Sequence, residues 1–298
     1  VRCILGNIPQ LRALDLPPAL GDLIIEKRGL VLIVGATGSG KSTTIASMLD
    51  HRNTNRAGHI LTVEDPIEFL FKHKKSIVNQ REIGMDTLDW AAALKNAMRQ
   101  APDCILIGEI RDKETMQAAI AYAQTGHLCL ATLHANNSYH ALNRIISFFP
   151  LENRPALFLD LSVALRAIVS QRLVRKPEGN RTPACEVMLN TRHISELIER
   201  GEVQGIKDAM EQTLAPGSQT FEQDLFRLYR TGTIALEEAL SNADSPTNLS
   251  WLINNAEINP TGGKDERKPD AALEFDSTNA GGASFKEFTL SLGDHDDQ

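Results

Sequence analysis

The chain has few cysteines, few aromatic side chains, no surplus of positive charge and no long apolar run. Each shortage removes a class of function. The four cysteines, Cys3, Cys104, Cys129 and Cys185, stand far apart and form no C-x-x-C pair, so neither a zinc cluster nor a disulfide framework is indicated. Cys104 and Cys129 fall in the apolar runs "CILIG" and "LCLAT" and read as buried free thiols. Aromatic residues make up 5% of the chain and the formal net charge is −7, which with no aromatic-basic interleaving argues against a nucleic-acid binder. No apolar stretch approaches the ~18 residues of a membrane span. No signal peptide opens the sequence, so a cytoplasmic location is the default. The absence of an N-K-x-D motif disfavours a GTPase. The chain opens on Val1 rather than Met, which reads as a fragment lacking its upstream part.

What is present suffices for a buried core: 298 residues, 42% of them hydrophobic, allow one large domain or two modest ones. Short apolar runs alternate with amphipathic helical patterns in the first half, the signature of a parallel sheet covered by helices. The runs "LVLIV" (30–34), "HILTV" (59–63), "DCILIG" (103–108) and "LCLATL" (128–133) read as buried strands. Thr87 is placed as the cap of a helix to about Gln100, and Asp112 as the cap of another that Gly126 stops. Helices are expected from about Ser138 to before Pro150, and from Pro155 to about Arg172. After the turn-rich "KPEGNRTP" come a strand "ACEVML" and short helices, with Thr220 and Gln223 as a capping box and Gly232 as a stop. The boundaries follow: 1–16 a linker or remnant, 17–176 an α/β P-loop core, 177–255 a strand and helical appendix, 256–298 a disordered acidic tail. From Asn259 onward nine Asp/Glu face four Lys/Arg, so the tail carries −5 of the net −7. Its end, "SFKEFTLSLGDHDDQ", regains apolar residues but reads first as solvated.

Residues 35–42, "GATGSGKS", fit G-x-x-x-x-G-K-[ST] with a strand before and a helix after. Glycines let backbone N–H groups close on phosphate oxygens, and the helix N-terminus adds partial positive charge. Gly35, Ala36, Thr37, Gly38, Ser39, Gly40, Lys41, Ser42 and Thr43 form the nucleotide-binding set, with Thr43 and Thr44 also starting the helix. Lys41 is assigned to the β- and γ-phosphates and Ser42 to Mg²⁺. The strand ending "LIGEIRD" is expected beside the loop and presents Glu109 toward the cation, the Walker B position. In "TVEDPIEF", Pro66 breaks the strand and projects acids from its carboxyl edge; either Glu64 or Glu68 is placed to position an attacking water. His127 and His134 flank the next strand, and His134 ends it at the active edge. Arg81 and Arg99 stand as donors for γ-phosphate charge, contributed from a neighbouring subunit, and the sequence does not rank them. The remaining histidines, His51, His59, His73, His140, His193 and His295, carry no partner pattern and read as surface.

With "GATGSGKSTT", "EDPIEF", "VNQRE", "LIGEIRD" and "TGHLCLATLH" in this order, the chain resembles the secretion ATPase superfamily, and within it the type IV pilus retraction ATPases of the PilT and PilU kind. The resemblance runs from about Pro17 to Leu252. It implies a RecA-like core and a homo-hexameric ring that hydrolyses Mg-ATP at the cytoplasmic base of the pilus, peripheral to the inner membrane, where a platform protein is its partner. It also implies roles: Glu68 matches the catalytic glutamate, which favours it over Glu64, Glu109 the Walker B acid, His127 and His134 the His box, and Arg81 and Arg99 the arginines facing ATP. The tetracysteine module of assembly ATPases is missing, which favours retraction. The family's "AIRNLIRE"-like helix appears only as "TRHISELIERG", and the carboxyl region resembles PilU, the accessory member that works with a PilT-like ATPase. The family's PAS-like N-terminal domain is largely missing, with residues 1–16 as its remnant. A second reading makes the chain mainly an interaction subunit that supports a partner ATPase.

Overall fold

The structure is a computed structural model that describes residues 6–258. Cys3 and the acidic tail beyond Ile258 lie outside the described residues. Among these, seven strands form one sheet: β1 (Gly29–Val34), β2 (Gly58–Glu64), β3 (Ser76–Glu82), β4 (Cys104–Ile107), β5 (Leu128–Leu133), β6 (Leu165–Arg175) and β7 (Arg181–Leu189). Their order is β3-β2-β4-β5-β1-β6-β7. All neighbours pair in parallel except β6 and β7, which are antiparallel.

The runs that read as strands are strands because both their faces are buried. Along β1, Leu30, Leu32 and Val34 join one core cluster while Val31 and Ile33 join the other. The same alternation holds in β4 and β5, where Cys104 and Cys129 are buried free thiols on opposite faces. Helices α1 (Ala19–Ile25) and α2 (Lys41–Asn55) cover the second face. The first is covered by α3 (Trp90–Ala97), α4 (Lys113–Gln124), α5 (Ser138–Ser147), α6 (Arg154–Ala164), α7 (Arg192–Glu199) and α8 (Ile206–Gln212). The last helices, α9 (Phe221–Arg230), α10 (Leu236–Asn242) and α11 (Pro246–Ile258), build a third cluster around Val174 and Ala184.

Local chemistry sets several boundaries. Asp112 accepts from Thr115 N–H at 2.8 Å and closes a capping box at α4, and Gly126 follows that helix at φ 102°. The Thr220–Gln223 box opens α9, and Gly232 follows its end at φ 70°. Helix α3 begins later than the sequence suggests: Asp89, not Thr87, caps it by accepting from Ala92 N–H at 2.7 Å. Thr87 is instead engaged in a bridge to Ile83.

Three strands depart from the sequence reading. The helix expected to reach Arg172 ends at Ala164, and Leu165–Arg175 is strand β6. Hydrogen bonding to β1 on one side and β7 on the other favours the extended form of this Ile- and Val-bearing segment over its helix-like spacing of polar residues. Strand β7 starts at Arg181, inside the supposed link. Strand β3 escaped notice because it is an edge strand, with Ser76 and Val78 buried and Ile77 and Asn79 exposed. His73, exposed as expected, accepts from the Val78 N–H at 3.1 Å, and Gln80 accepts from Phe71 N–H at 2.9 Å. Finally, β4 is not beside β1, because β5 lies between them.

Candidate functional site

The phosphate loop joins β1 to α2 at the carboxyl edge of the sheet, where ligands of α/β proteins collect. Two of its glycines are sterically required. A Cβ on Gly35, at φ 154°, would fall 2.5 Å from the Gln171 carbonyl oxygen, and one on Gly40, at φ 87°, would fall 2.8 Å from Gln171 Nε2. Gln171, fully inside the protein on β6, is the prop of the loop: Nε2 donates to Ser39 O at 2.8 Å and Oε1 accepts from Thr44 Oγ1 at 2.8 Å. Sequence reading missed it; the one available signal was a polar pair, Gln171 and Arg172, inside an apolar run. Lys41 Nζ donates to the loop's own carbonyls, Gly35 O at 2.8 Å and Ala36 O at 2.9 Å. Burial lowers the Lys41 pKa, against the opposing pull of the Glu109 and Glu68 carboxylates.

The loop forms one wall of a cleft of about 730 Å³ whose charged lining comprises Lys41, Glu64, Asp65, Glu68, Glu109, Arg111 and also His134. Ser42, Thr43, Thr37, Gly38 and Gly40 line it as well. Gly108 lets β4 turn against β2, since a Cβ there would lie 3.0 Å from Val63 O, and the next residue, Glu109, enters the cleft. Glu109 Oε2 takes Arg111 Nε at 2.8 Å and Nη2 at 2.7 Å, and its Oε1 lies 3.3 Å from His134 Nε2. The Glu109 hydrogen bond raises the Arg111 pKa. Arg111 also reaches Asp65, at 3.7 Å, and so ties β2's acidic turn to the end of β4. It is a second residue whose contact was not read from sequence, although it stands in the quoted motif.

Glu64 and Glu68 both line this cleft. Glu64 Oε1 accepts from Thr62 Oγ1 at 2.6 Å and from Gln80 Nε2 at 3.2 Å. Burial raises its pKa more than those bonds lower it, and the Glu68 charge adds to the rise. Trp90, Phe69 and Phe71 supply an apolar wall that the sequence reading did not anticipate.

Gly35, Ala36 and Ser39 of the expected loop set do not line this cleft, and three of the expected catalytic residues, His127, Arg99 and Arg81, stay outside it. His127 precedes β5 and His134 follows it, so the strand separates them by about 23 Å at ~3.3 Å per residue. The His127 ring lies instead against Tyr122, with centroids 5.9 Å apart, and near Thr125 Oγ1 at 3.1 Å. Arg99 is exposed in the turn Met98–Gln100 that leads to the amino end of β4. Arg81 is half-buried on β3, opposite Val63.

The residues present suit a nucleotide triphosphate with a hard divalent cation. The cradle excludes a Cβ at Gly35 and Gly40, a 15-residue helix opens its N-terminus on the cleft, and Ser42 and Glu109 offer oxygen donors. Among the described residues no group of three or more His, Cys, Asp or Glu side chains forms a cation cage. Mg²⁺ is held by one or two protein oxygens together with substrate phosphates, the kind of donor that Ser42 and Glu109 offer.

Comparison with known proteins places the chain in a family. The model of the family "Type II/IV secretion system protein" matches residues 15–214. The type IV pilus ATPase PilU of Pseudomonas aeruginosa is 52% identical over 85% of this chain and 66% of its own length. The type IV pilus retraction ATPase PilT of the same organism is 43% identical over 74% of this chain and 64% of its own. The chain thus spans a little under two thirds of these relatives. Among solved structures, the pilus retraction motor PilT with bound ADP superposes with a TM-score of 0.79 at 44% identity, covering 84% of this chain and 71% of that one. The ATPase DotB of Legionella pneumophila gives 0.73 at 28% identity, covering 86% and 68%. A family model spanning two hundred residues of this chain, over the strands and helices that build the cleft, makes the protein a member of the type II/IV secretion system protein family.

Proposed function

We propose that this chain is the Mg-ATP-hydrolysing motor subunit of a type IV pilus retraction machine, of the PilU kind. The observation that carries the reading is the meeting of Lys41, Glu68, Glu109 and His134 in one cleft, in a chain 52% identical to a PilU. The backbone N–H groups of Gly38 to Ser42 and the Lys41 ammonium hold the β- and γ-phosphates. Ser42 and Glu109 are the residues to hold Mg²⁺, which when bound neutralises charge developing on the transferred phosphoryl group. Glu68 orients the attacking water and accepts its proton. Glu64 Oε1 accepts from Thr62 and Gln80 and braces the acidic turn. His134 sits against Glu109 and reports the state of the γ-phosphate. His127, Arg81 and Arg99, which do not line this cleft, act at the junction with a neighbouring subunit.

The assembly we propose is a homo-hexamer, working with a PilT-like ATPase and a platform protein of the inner membrane, peripheral to that membrane on its cytoplasmic side. No helix among the described residues is long and apolar enough to cross a membrane. Nucleic acid is not among its partners. The test is enzymatic and then cellular. Purified protein hydrolyses ATP, Lys41→Ala abolishes nucleotide binding, and Glu109→Gln keeps binding while lowering kcat by about two orders of magnitude or more. Cells lacking the gene carry excess unretracted pili and lose twitching; bald cells would overturn the retraction role. Full rescue by Lys41→Ala beside an intact partner would favour the supporting, interaction-only reading.

A further inference from the structure

Adjacent residues of a strand face opposite sides of a sheet, and β6 uses this at Gln171 and Arg172. Gln171 props the phosphate loop. Arg172 grips the segment that follows His134: Nη2 donates to Asn136 O at 3.2 Å and to the Asp244 carboxylate, and Nη1 donates to Asn242 O. Its guanidinium lies 3.9 Å from the Phe221 ring centroid, on α9. Asp244 returns to the same segment, accepting from Asn137 Nδ2 at 2.7 Å. Asn137 caps α5 and Ser138 begins it, with the Ser138 N–H donating to buried Glu186 at 2.7 Å. The Arg172 and Asp244 side chains are 22% and 19% exposed. An ion pair this sheltered, forked and stacked on a ring holds one geometry, unlike a fluctuating surface pair.

We propose that Arg172 and Asp244 are positioning residues for His134, tying its place beside Glu109 to the helices α9, α10 and α11. The proposal rests on the reading of the cleft as an ATP-hydrolysing site. Neither residue lines the cleft, so each acts through the three residues, Ala135 to Asn137, that separate His134 from α5. A displacement of His134 on change of nucleotide is passed through Asn136 and Asn137 to the α10–α11 junction at Asn242–Asp244. Conversely, a movement of the appendix resets the histidine.

The test uses the full chain with Arg172→Ala, Asp244→Asn, His134→Ala and the paired variants. Arg172→Ala and Asp244→Asn are expected to lower kcat about tenfold while KM for ATP and Kd for ADP stay within about twofold. The His134→Ala and Asp244→Asn losses are expected not to add in the double variant. Asp244→Asn is nearly isosteric and guards against a variant that fails to fold, checked by thermal unfolding. Hydrogen exchange supplies the readout independent of turnover. A non-hydrolysable ATP analogue should change protection at residues 242–245 in the wild type and not in Asp244→Asn. Additive losses, a nucleotide response at 242–245 that persists in Asp244→Asn, or no such response in the wild type would overturn the proposal. A wild type that binds the analogue without hydrolysing ATP would overturn the hydrolytic reading instead, leaving the exchange result to decide this one.

Discussion

Glu186 is a carboxyl group kept out of water, 5% exposed, with its Oε1 accepting from Ser138 N–H at 2.7 Å, Ser138 Oγ at 2.6 Å and Ser170 Oγ at 3.0 Å. Burial raises its pKa in the folded state, and the three donors only partly oppose this. A folded-state pKa above the unfolded value means the fold binds the proton more tightly than the open chain does. The resulting stability is fully present below the ordinary carboxyl value of 4.5 and is lost as pH rises through the raised one. Glu186→Gln keeps an acceptor for the serines and removes the titration. Urea unfolding at several pH values should show the wild type losing stability relative to this variant as pH rises from acid to neutral; parallel curves would contradict the assignment. At this scale the sequence was legible where chemistry is local. Lys41, Ser42, Glu109 and His134 are named by motifs that span a few residues, and all line one cleft. Gln171 was not legible, because its partners Ser39 and Thr44 lie more than 120 positions away.

Elements divide along the same line between near and distant causes. The cap of α4 is written in four consecutive residues, and Asp112→Ala should cost about 1 kcal/mol in denaturant unfolding without altering nucleotide affinity. A change in affinity would mean that Asp112 reaches the cleft. Strand β6 shows the opposite case. Its periodicity suits a helix, yet it lies between β1 and β7, and the sheet decides. Strand β3 was missed for a related reason: its apolar residues stop at Val78 and polar ones follow from Asn79 to Glu82, so it never forms the solid apolar run that marks a central strand. The placement of β5 between β1 and β4 was equally hidden, since strand order is a long-range property.

On the scale of the whole molecule, the cleft holds the phosphate loop and acids of one chain while Arg81 stands on the edge strand outside it. If Arg81 serves a neighbouring cleft, Lys41→Ala and Arg81→Ala subunits, each inactive alone, should regain ATP turnover when mixed, because some sites then pair an intact loop with an intact arginine. No recovery in rings shown to contain both subunits would refute action between subunits. The margin that carries Arg81 has another property. At that margin the main-chain N–H of Val78 is already occupied by the His73 ring. A foreign strand that tried to extend the sheet at this point would first have to displace this side chain. Solubility is a property of the crowd rather than of the molecule, and with that edge N–H uncovered His73→Ala protein is expected to turn cloudy at concentrations the parent tolerates; unchanged light scattering would refute a guarding role for the ring.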